Sequence, residues 1–142
     1  MASVFTRIIR GELPGRFVWR DDRVVAFLTI APVTTGHVLV VPVDEVEQWI
    51  DLDAELWSRV AGIAREIGRA LQSVFDAPRI GQMIAGFEVP HVHVHVLPAY
   101  DLDDIGFGGA DSSPDPDVLD AAAVRIRAAL RGLGHTDVVP EG

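Results

Sequence analysis

The segment at residues 90–98 reads PHVHVHVLP, and it decides how the rest of the chain is interpreted. Side chains two positions apart lie on the same face of a β-strand, so His91, His93 and His95 are predicted to share one face. The valines between them would cover the opposite face, where β-branched apolar side chains pack well against a core. We interpret the two prolines as the ends of this strand, because proline cannot donate a ladder hydrogen bond. Three of the chain's five histidines therefore crowd one short surface.

Composition bounds the class of protein. A chain of 142 residues, of which 49% are hydrophobic, can bury one core, and we predict a single domain over residues 1–142. Without cysteine there is neither a disulfide nor a Cys-based zinc site, which is compatible with a cytoplasmic protein. We expect no signal peptide and no membrane span. The formal net charge of −9 argues against nucleic acid or an anionic membrane as a partner.

The pattern of apolar residues predicts an α+β domain with helices on one side of a mainly antiparallel sheet. A short helix capped by Ser3 is predicted over 3–10, and a long helix capped by Asp53 runs to about Phe75. A last helix is predicted over about 117–134, after an irregular, mobile loop at 101–116. The predicted strands cover 16–20, 23–30, 36–42, 79–85 and 90–98.

Three histidines on one strand face permit two kinds of chemistry. His93 could attack an electrophilic phosphorus if its other ring nitrogen donates to a neighbour, while His95 protonates a leaving group and His91 orients its neighbour. Backbone N–H groups near Gly86 could hold phosphate oxygens. The same three histidines could instead bind zinc, although the outer pair would lie about 13 Å apart along an extended backbone. The residues alone leave both alternatives open.

The run from His91 to Leu97 is similar to the His-φ-His-φ-His-φ-φ signature of the histidine triad (HIT) family, where φ is apolar. The resemblance covers about residues 3–98 and leaves out the final helix. It implies a five-stranded antiparallel meander sheet with a long helix and shorter helices, and a homodimer with one continuous sheet. The other matching segments are Phe5 with Ile8-Ile9, residues 11–14, Asp21-Asp22 with Val25-Ala26-Phe27, and residues 36–42.

The resemblance also implies a nucleoside-phosphate hydrolase or transferase that cleaves phosphoramidate or phosphoanhydride bonds. His93 would form a nucleotidyl-histidine intermediate, His95 would assist the leaving group, His91 would sit behind His93, and His37 would complete the hydrogen-bond network. The implied ligand is a purine nucleotide of the AMP or GMP type, with no cofactor required and zinc possible. If one histidine must be protonated as an acid while His93 is unprotonated as the nucleophile, the rate plotted against pH should be bell-shaped near neutrality.

By resemblance, eight residues would contact the nucleotide, and some of them depart from the family pattern. Thr29 stands where an acidic or amide residue commonly binds the ribose hydroxyls. Ile80 replaces an amide, and a shifted register would let Gln82 substitute for it. These departures keep two alternatives open, a purine-nucleotide-binding protein with weak turnover and a metal-binding protein. Tyr100, Ile105 and Phe107 would form either a lid or part of a disordered connector. From the residues alone, Phe5, Ile8, Ile9 and Phe27 could equally be plain core. The predicted nucleotide contacts are Phe5, Ile8, Phe27, Thr29, Ile30, Gln82, Phe87 and Glu88.

Overall fold

The structure is a computed structural model that describes all 142 residues. It contains three α-helices and one five-stranded sheet, together with short 3-10 turns at Trp49–Asp51 and Leu102–Asp104. The helices are α1 (Val4–Ile9), α2 (Ala54–Val74) and α3 (Pro116–Gly132). The strands are β1 (Phe17–Arg20), β2 (Val24–Leu28), β3 (Val38–Pro42), β4 (Arg79–Met83) and β5 (Val94–Ala99).

The strand order is β1-β2-β3-β5-β4, and every neighbouring pair is antiparallel. The α+β class and the five-stranded antiparallel sheet are therefore confirmed. The simple meander holds from β1 to β3, but β5 lies between β3 and β4. The connection from β3 to β4 includes α2, and a crossover of this length lets the chain pass over one strand position. The histidine segment thus reaches the interior of the sheet.

The larger core lies between one sheet face and the helices α2 and α3. It holds 23 buried residues, against five in a separate cluster on the other face. Ile67 and Leu71 of α2 and Ile126 of α3 are fully buried in it, and burial of such side chains stabilises the fold by about 1.5–3 kcal/mol each. The valines of the histidine segment also belong to this core, which confirms the predicted apolar face.

The expectation that all helices lie on one side of the sheet is wrong for α1. Phe5 of this helix packs with Val25, Phe27, Leu39 and Val41 on the opposite face. The physical reason is that β2 and β3 are buried at every position. Both faces of these strands are apolar, so each face needs a cover.

The histidine segment enters the sheet later than predicted. β5 begins at Val94, because β3 pairs only with the part of it from Val94 to Val96. Before that point the Val92 N–H donates to the Val46 carbonyl instead of to a strand. The alternation of faces continues through this unpaired stretch all the same. Pro98 lies inside β5 and not at its end, at a position that pairs with β4 beyond the last β3 pair.

Local capping signals predicted the helix starts well. The Ser3 hydroxyl accepts the Thr6 N–H at the start of α1, and the Asp53 carboxylate accepts the Leu56 N–H at the start of α2. Asp21 closes the first hairpin by accepting the N–H groups of Arg23 and Val24. No helix is both long and apolar enough to cross a bilayer.

Candidate active site

A cavity of about 270 Å³ opens on the sheet face that carries the histidines. One wall comes from the end of β2 and the loop after it, a second from the turn between β4 and β5, and a third from the segment after β5. The lining residues are Thr29, Ala31, His37, Ala85, Gly86, Phe87, Glu88, His93, His95, Phe107 and Ala110.

The proton position on His95 follows from a chain of hydrogen bonds that starts at the backbone. The Val33 N–H donates to Nδ1 of His37 (3.0 Å), so the His37 proton must lie on Nε2. That nitrogen is 2.9 Å from Nδ1 of His95 and donates to it. His95 therefore carries its own proton on Nε2, which has no partner in the chain. A hydrogen-bond donor faces the cavity at this position.

His93 has the opposite arrangement. Its Nδ1 lies 2.7 Å from the backbone carbonyl of His91, and only an N–H can donate to a carbonyl oxygen. Nε2 of His93 therefore holds a lone pair and is bonded to no protein group. The rings of His93 and His95 are 4.9 Å apart between centroids. A nucleophilic nitrogen and an N–H donor thus lie side by side in one cavity.

His91 is held behind this pair by groups that the sequence did not indicate. Its Nε2–H donates to the Pro42 carbonyl (2.7 Å), and its Nδ1 accepts the Ser3 hydroxyl (2.7 Å). Ser3 is held in turn by Glu45, which accepts the Ser3 N–H (2.6 Å). This bond, with a second from the Thr6 hydroxyl, lowers the pKa of Glu45 to about 2. The sequence showed Ser3 only as a helix cap, because its contact with His91 spans 88 positions of the chain.

Burial keeps the four histidines neutral at pH 7. It lowers the pKa of His37 to about 4 and, together with the charges that His37 and His93 would carry, lowers the pKa of His95 to about 3. Burial also lowers the pKa of His91 and His93 below their usual 6.5. At pH 7, His95 therefore offers the cavity the N–H of a neutral imidazole and not that of an imidazolium. The expected bell-shaped profile centred near neutrality is revised accordingly.

The residues predicted to contact a nucleotide fall into three places. Thr29, Phe87 and Glu88 line the cavity. Phe5, Ile8 and Phe27 lie in the apolar cluster beside it, with the Phe5 ring centroid 4.8 Å from that of His93. Ile30 is 73% exposed at the rim of β2.

Gln82 lies on the other side of the sheet from the cavity. It pairs with Val96, whose side chain belongs to the larger core, and it lines a groove beside α2 with Arg65 and Arg69. Alternation along β4 explains this position, because neighbouring residues of a strand point to opposite faces. The same alternation places Ile80 against the larger core.

The segment after β5 packs against the cavity and forms one of its walls. The Phe107 ring centroid is 4.7 Å from that of His95, and the Asp111 N–H donates to the Pro32 carbonyl. A Cβ added to Gly81 would clash with the Ile105 side chain, which shows how closely this segment crosses β4. Two of the three predicted lid residues, Ile105 and Phe107, therefore pack against the domain. Tyr100 is half-exposed and does not line the cavity.

The turn between β4 and β5 presents free backbone donors. None of the N–H groups from Ala85 to Glu88 donates a hydrogen bond within the chain. Gly86 has φ +88, a conformation that glycine adopts without strain. Phosphate oxygens commonly bind to free N–H groups in turns of this kind.

A three-histidine zinc site does not fit this arrangement. Both ring nitrogens of His91 are bonded to the protein, and Nδ1 of His95 accepts from His37. Only the Nε2 atoms of His93 and His95 remain for a ligand. No group of three His, Asp or Glu side chains in the chain is placed to share one metal ion.

The fold and the site together define a class of small α+β proteins in which alternate histidines of one segment open onto a single cavity. The HIT domain family model matches residues 10–102. An uncharacterized HIT-like protein of Mycobacterium tuberculosis is 35% identical over 136 residues, which are 92% of this chain and 94% of that protein. This chain belongs to the HIT family.

Two solved structures show the same architecture. A zinc-bound histidine triad family protein from Mycobacterium smegmatis has a TM-score of 0.79 at 28% identity, covering 94% of this chain and 96% of that one. A HIT family hydrolase from Legionella pneumophila has a TM-score of 0.62 at 25% identity, covering 71% and 96%. The family resemblance stated from the sequence is thereby confirmed.

Proposed function

We propose that this protein is a nucleotidyl hydrolase or transferase in which His93 is the nucleophile. The proposal is carried by the opposite hydrogen-bonding roles of two neighbouring ring nitrogens. Nε2 of His93 holds a lone pair, and Nε2 of His95 carries a proton. Attack on phosphorus needs the first, and charge on the leaving atom or a phosphate oxygen is stabilised by the second. The hydrolase among the structural relatives supports this class of reaction.

The reaction balances without a cofactor. His93 Nε2 forms a bond to phosphorus while the bond from phosphorus to the leaving atom breaks. The leaving group takes that electron pair and, where it is an amine, a proton from the solvent. The nucleotidyl-imidazolium keeps its Nδ1–H on the His91 carbonyl. Water then attacks phosphorus, the bond from phosphorus to Nε2 breaks with its electron pair returning to Nε2, and the proton from water passes to the solvent. His95 donates a hydrogen bond throughout, since a neutral imidazole that gave up its proton would become an anion.

We place the nucleoside against the wall that carries Thr29, with the purine toward the apolar cluster of Phe5, Ile8 and Phe27. Thr29 would bond one ribose hydroxyl, and the free N–H groups of the turn at Gly86 would hold phosphate oxygens. A homodimer joined through β4, one of the two edge strands, is part of the same proposal.

Replacement of His93 tests the nucleophile. The His93→Ala protein should lose at least about a thousandfold in kcat on an adenosine phosphoramidate, because covalent catalysis is removed. Its affinity for AMP by calorimetry should change by less than about threefold. Wild-type protein quenched in acid after mixing with labelled substrate should carry label on a histidine.

His135→Ala is the matched control, because His135 bonds Glu66 on the far side of the sheet. It should keep wild-type turnover. Equal activity of the His93→Ala and wild-type proteins would exclude the proposed nucleophile.

A second candidate is a purine-nucleotide-binding protein with weak turnover. It is favoured by Glu88, which brings a carboxylate into the proposed phosphate site, and by Thr29 in place of a stronger ribose ligand. Tight binding of AMP, together with no labelled adduct and no turnover of phosphoramidates or dinucleoside polyphosphates, would favour this candidate over the enzyme.

A further inference from the structure

Glu88 is the only residue lining the cavity that is formally charged at neutral pH. It takes part in no hydrogen bond or salt bridge within the chain. The other polar side chains of the lining are a threonine and neutral histidines, and no arginine reaches the cavity. The chain contains no lysine, so no basic side chain of this domain neutralises the Glu88 carboxylate.

This carboxylate lies close enough to affect the reacting histidine. Burial lowers the pKa of His93, and the charge of Glu88 acts in the opposite direction. A carboxylate beside a phosphoryl group repels a second anion and attracts a cation. The formal net charge of −9 over the whole chain adds a field of the same sign.

An aromatic ring stands next to the carboxylate. Phe87 lines the same cavity, and its side chain is 97% exposed. An exposed phenyl ring has no packing role in the core, and its face attracts an ammonium group. A carboxylate and an aromatic face in one cavity are together suited to an organic cation.

The position of this pair indicates which part of a substrate it meets. Thr29 and Ala31 come from the wall beside β2, where the proposed function places the nucleoside, whereas residues 85–88 come from the connection between β4 and β5. The phosphoryl group lies between these walls, at His93. The group that leaves phosphorus would then face Phe87 and Glu88.

We propose that Phe87 and Glu88 select substrates in which the leaving group carries a positive charge, such as nucleoside phosphoramidates of amines with a second, free ammonium. Anionic leaving groups, including the phosphates of dinucleoside polyphosphates, are disfavoured by the same carboxylate. This inference rests on the proposed function and names the class of substrate for it.

Three adenosine 5′-phosphoramidates of similar length test the inference. The first is made from ethylenediamine and ends in an ammonium, the second from 2-methoxyethylamine and ends in an ether, and the third from β-alanine and ends in a carboxylate. The ratio of kcat/KM for the cationic over the anionic compound is measured for the wild-type and Glu88→Gln proteins. Because each compound has the same intrinsic reactivity with both proteins, the quotient of the two ratios isolates the Glu88 charge.

We expect the wild-type ratio to exceed the Glu88→Gln ratio by about tenfold or more at low salt, and the difference to shrink at high salt. Glu55→Gln is the matched control, since it removes an equal charge from the exposed first turn of α2. It should retain the wild-type ratio. Ratios within twofold of each other in the wild-type and Glu88→Gln proteins would overturn the inference.

The two proposals fail differently. Turnover of all three compounds by wild-type but not His93→Ala protein, with no dependence on charge, leaves the proposed function standing and removes the selectivity. If wild-type protein turns over none of them, the proposed function fails. The selectivity is then decided by calorimetry with non-hydrolysable phosphonate analogues of the cationic and anionic compounds, and equal affinities overturn it.

Discussion

The two imidazoles that face the cavity are chemically identical, and a different backbone group orients each one. The His91 carbonyl accepts the Nδ1–H of His93, which leaves its other nitrogen as an acceptor. The Val33 N–H acts on His95 through His37 and leaves its other nitrogen as a donor. Backbone groups do not titrate in this pH range, so these roles persist while the four histidines stay neutral.

The pH dependence of kcat/KM follows at this residue scale. Burial lowers the pKa of His93, and protonation would remove the attacking lone pair, so the loss of activity must fall on the acid side of the usual histidine range. We expect kcat/KM to be flat from about pH 6.5 to 9 and to decline only below that range. The measurement uses a phosphoramidate whose phosphoryl group does not titrate between pH 4.5 and 9.

A midpoint at or above the ordinary histidine value on the acid side, or a second decline just above neutrality, would contradict this assignment. The first result would mean that His93 is not shielded from water in the free enzyme. The second would mean that an imidazolium acid takes part.

Helix α1 is an element with two tasks. It is only six residues long, and its cap residue also bonds a histidine of the site. The Ser3 hydroxyl accepts the Thr6 N–H and donates to Nδ1 of His91. Helices of this length are unstable alone, so α1 depends on Phe5 in the apolar cluster and on these polar contacts.

The Ser3→Ala change tests this link. We expect a loss of about 1–2 kcal/mol in the free energy of unfolding, since a helix cap and the donor to a buried ring nitrogen are both removed. We also expect a several-fold fall in kcat/KM, because the His91 ring would lose one of the two hydrogen bonds that orient it behind His93. Urea unfolding and steady-state kinetics on the same samples provide the two readouts.

Ser58→Ala is the control, because Ser58 is exposed on α2 and its side chain makes no hydrogen bond. Ser3→Thr, which keeps the hydroxyl, should recover most of the loss. A Ser3→Ala protein as stable and as active as the Ser58→Ala protein would show that α1 does not support the site.

The bounds of α2 were predictable from local sequence, whereas the start of β5 was not. Asp53 and the apolar stripe after it were enough to predict α2, and the boundaries agree within one residue. β5 starts at Val94 and not at Pro90 because its pairing with β3 stops at Val40, although β3 itself continues to Pro42, and the Val92 N–H donates to the Val46 carbonyl instead. The side of the sheet that α1 covers was equally beyond local reasoning, since its short apolar face fits either side.

At the scale of the whole molecule, the two faces of the sheet bury different kinds of side chain. The face under α2 and α3 holds the larger core, while the other face buries histidines. An unfolded histidine gains a proton near pH 6.5, whereas the folded pKa is about 4 for His37 and about 3 for His95. Below pH 6.5 the unfolded chain therefore binds protons that the folded chain does not. The free energy of unfolding decreases as the pH is lowered.

We expect stability to be nearly constant above about pH 7 and to fall from pH 6.5 to 5 by on the order of 1 kcal/mol per pH unit for each such histidine. Carboxylates with lowered pKa, such as Asp21 and Glu45, contribute only at still lower pH. Urea midpoints at pH 8, 6.5, 5.8 and 5 measure this fall. Unchanged stability down to pH 5 would mean that the buried histidines gain protons in the folded protein.

The sequence by itself determined the α+β class, the helix caps, the valine face and the family, because each depends on residue types at short spacing. Only the tertiary structure decided which nitrogen of His95 accepts from His37, that Ser3 holds His91, and that Phe107 and Glu88 share a cavity with the rings of His93 and His95. These contacts join residues far apart in the chain. A proton position on an imidazole is set by the group that touches it, and sequence spacing carries no record of that group.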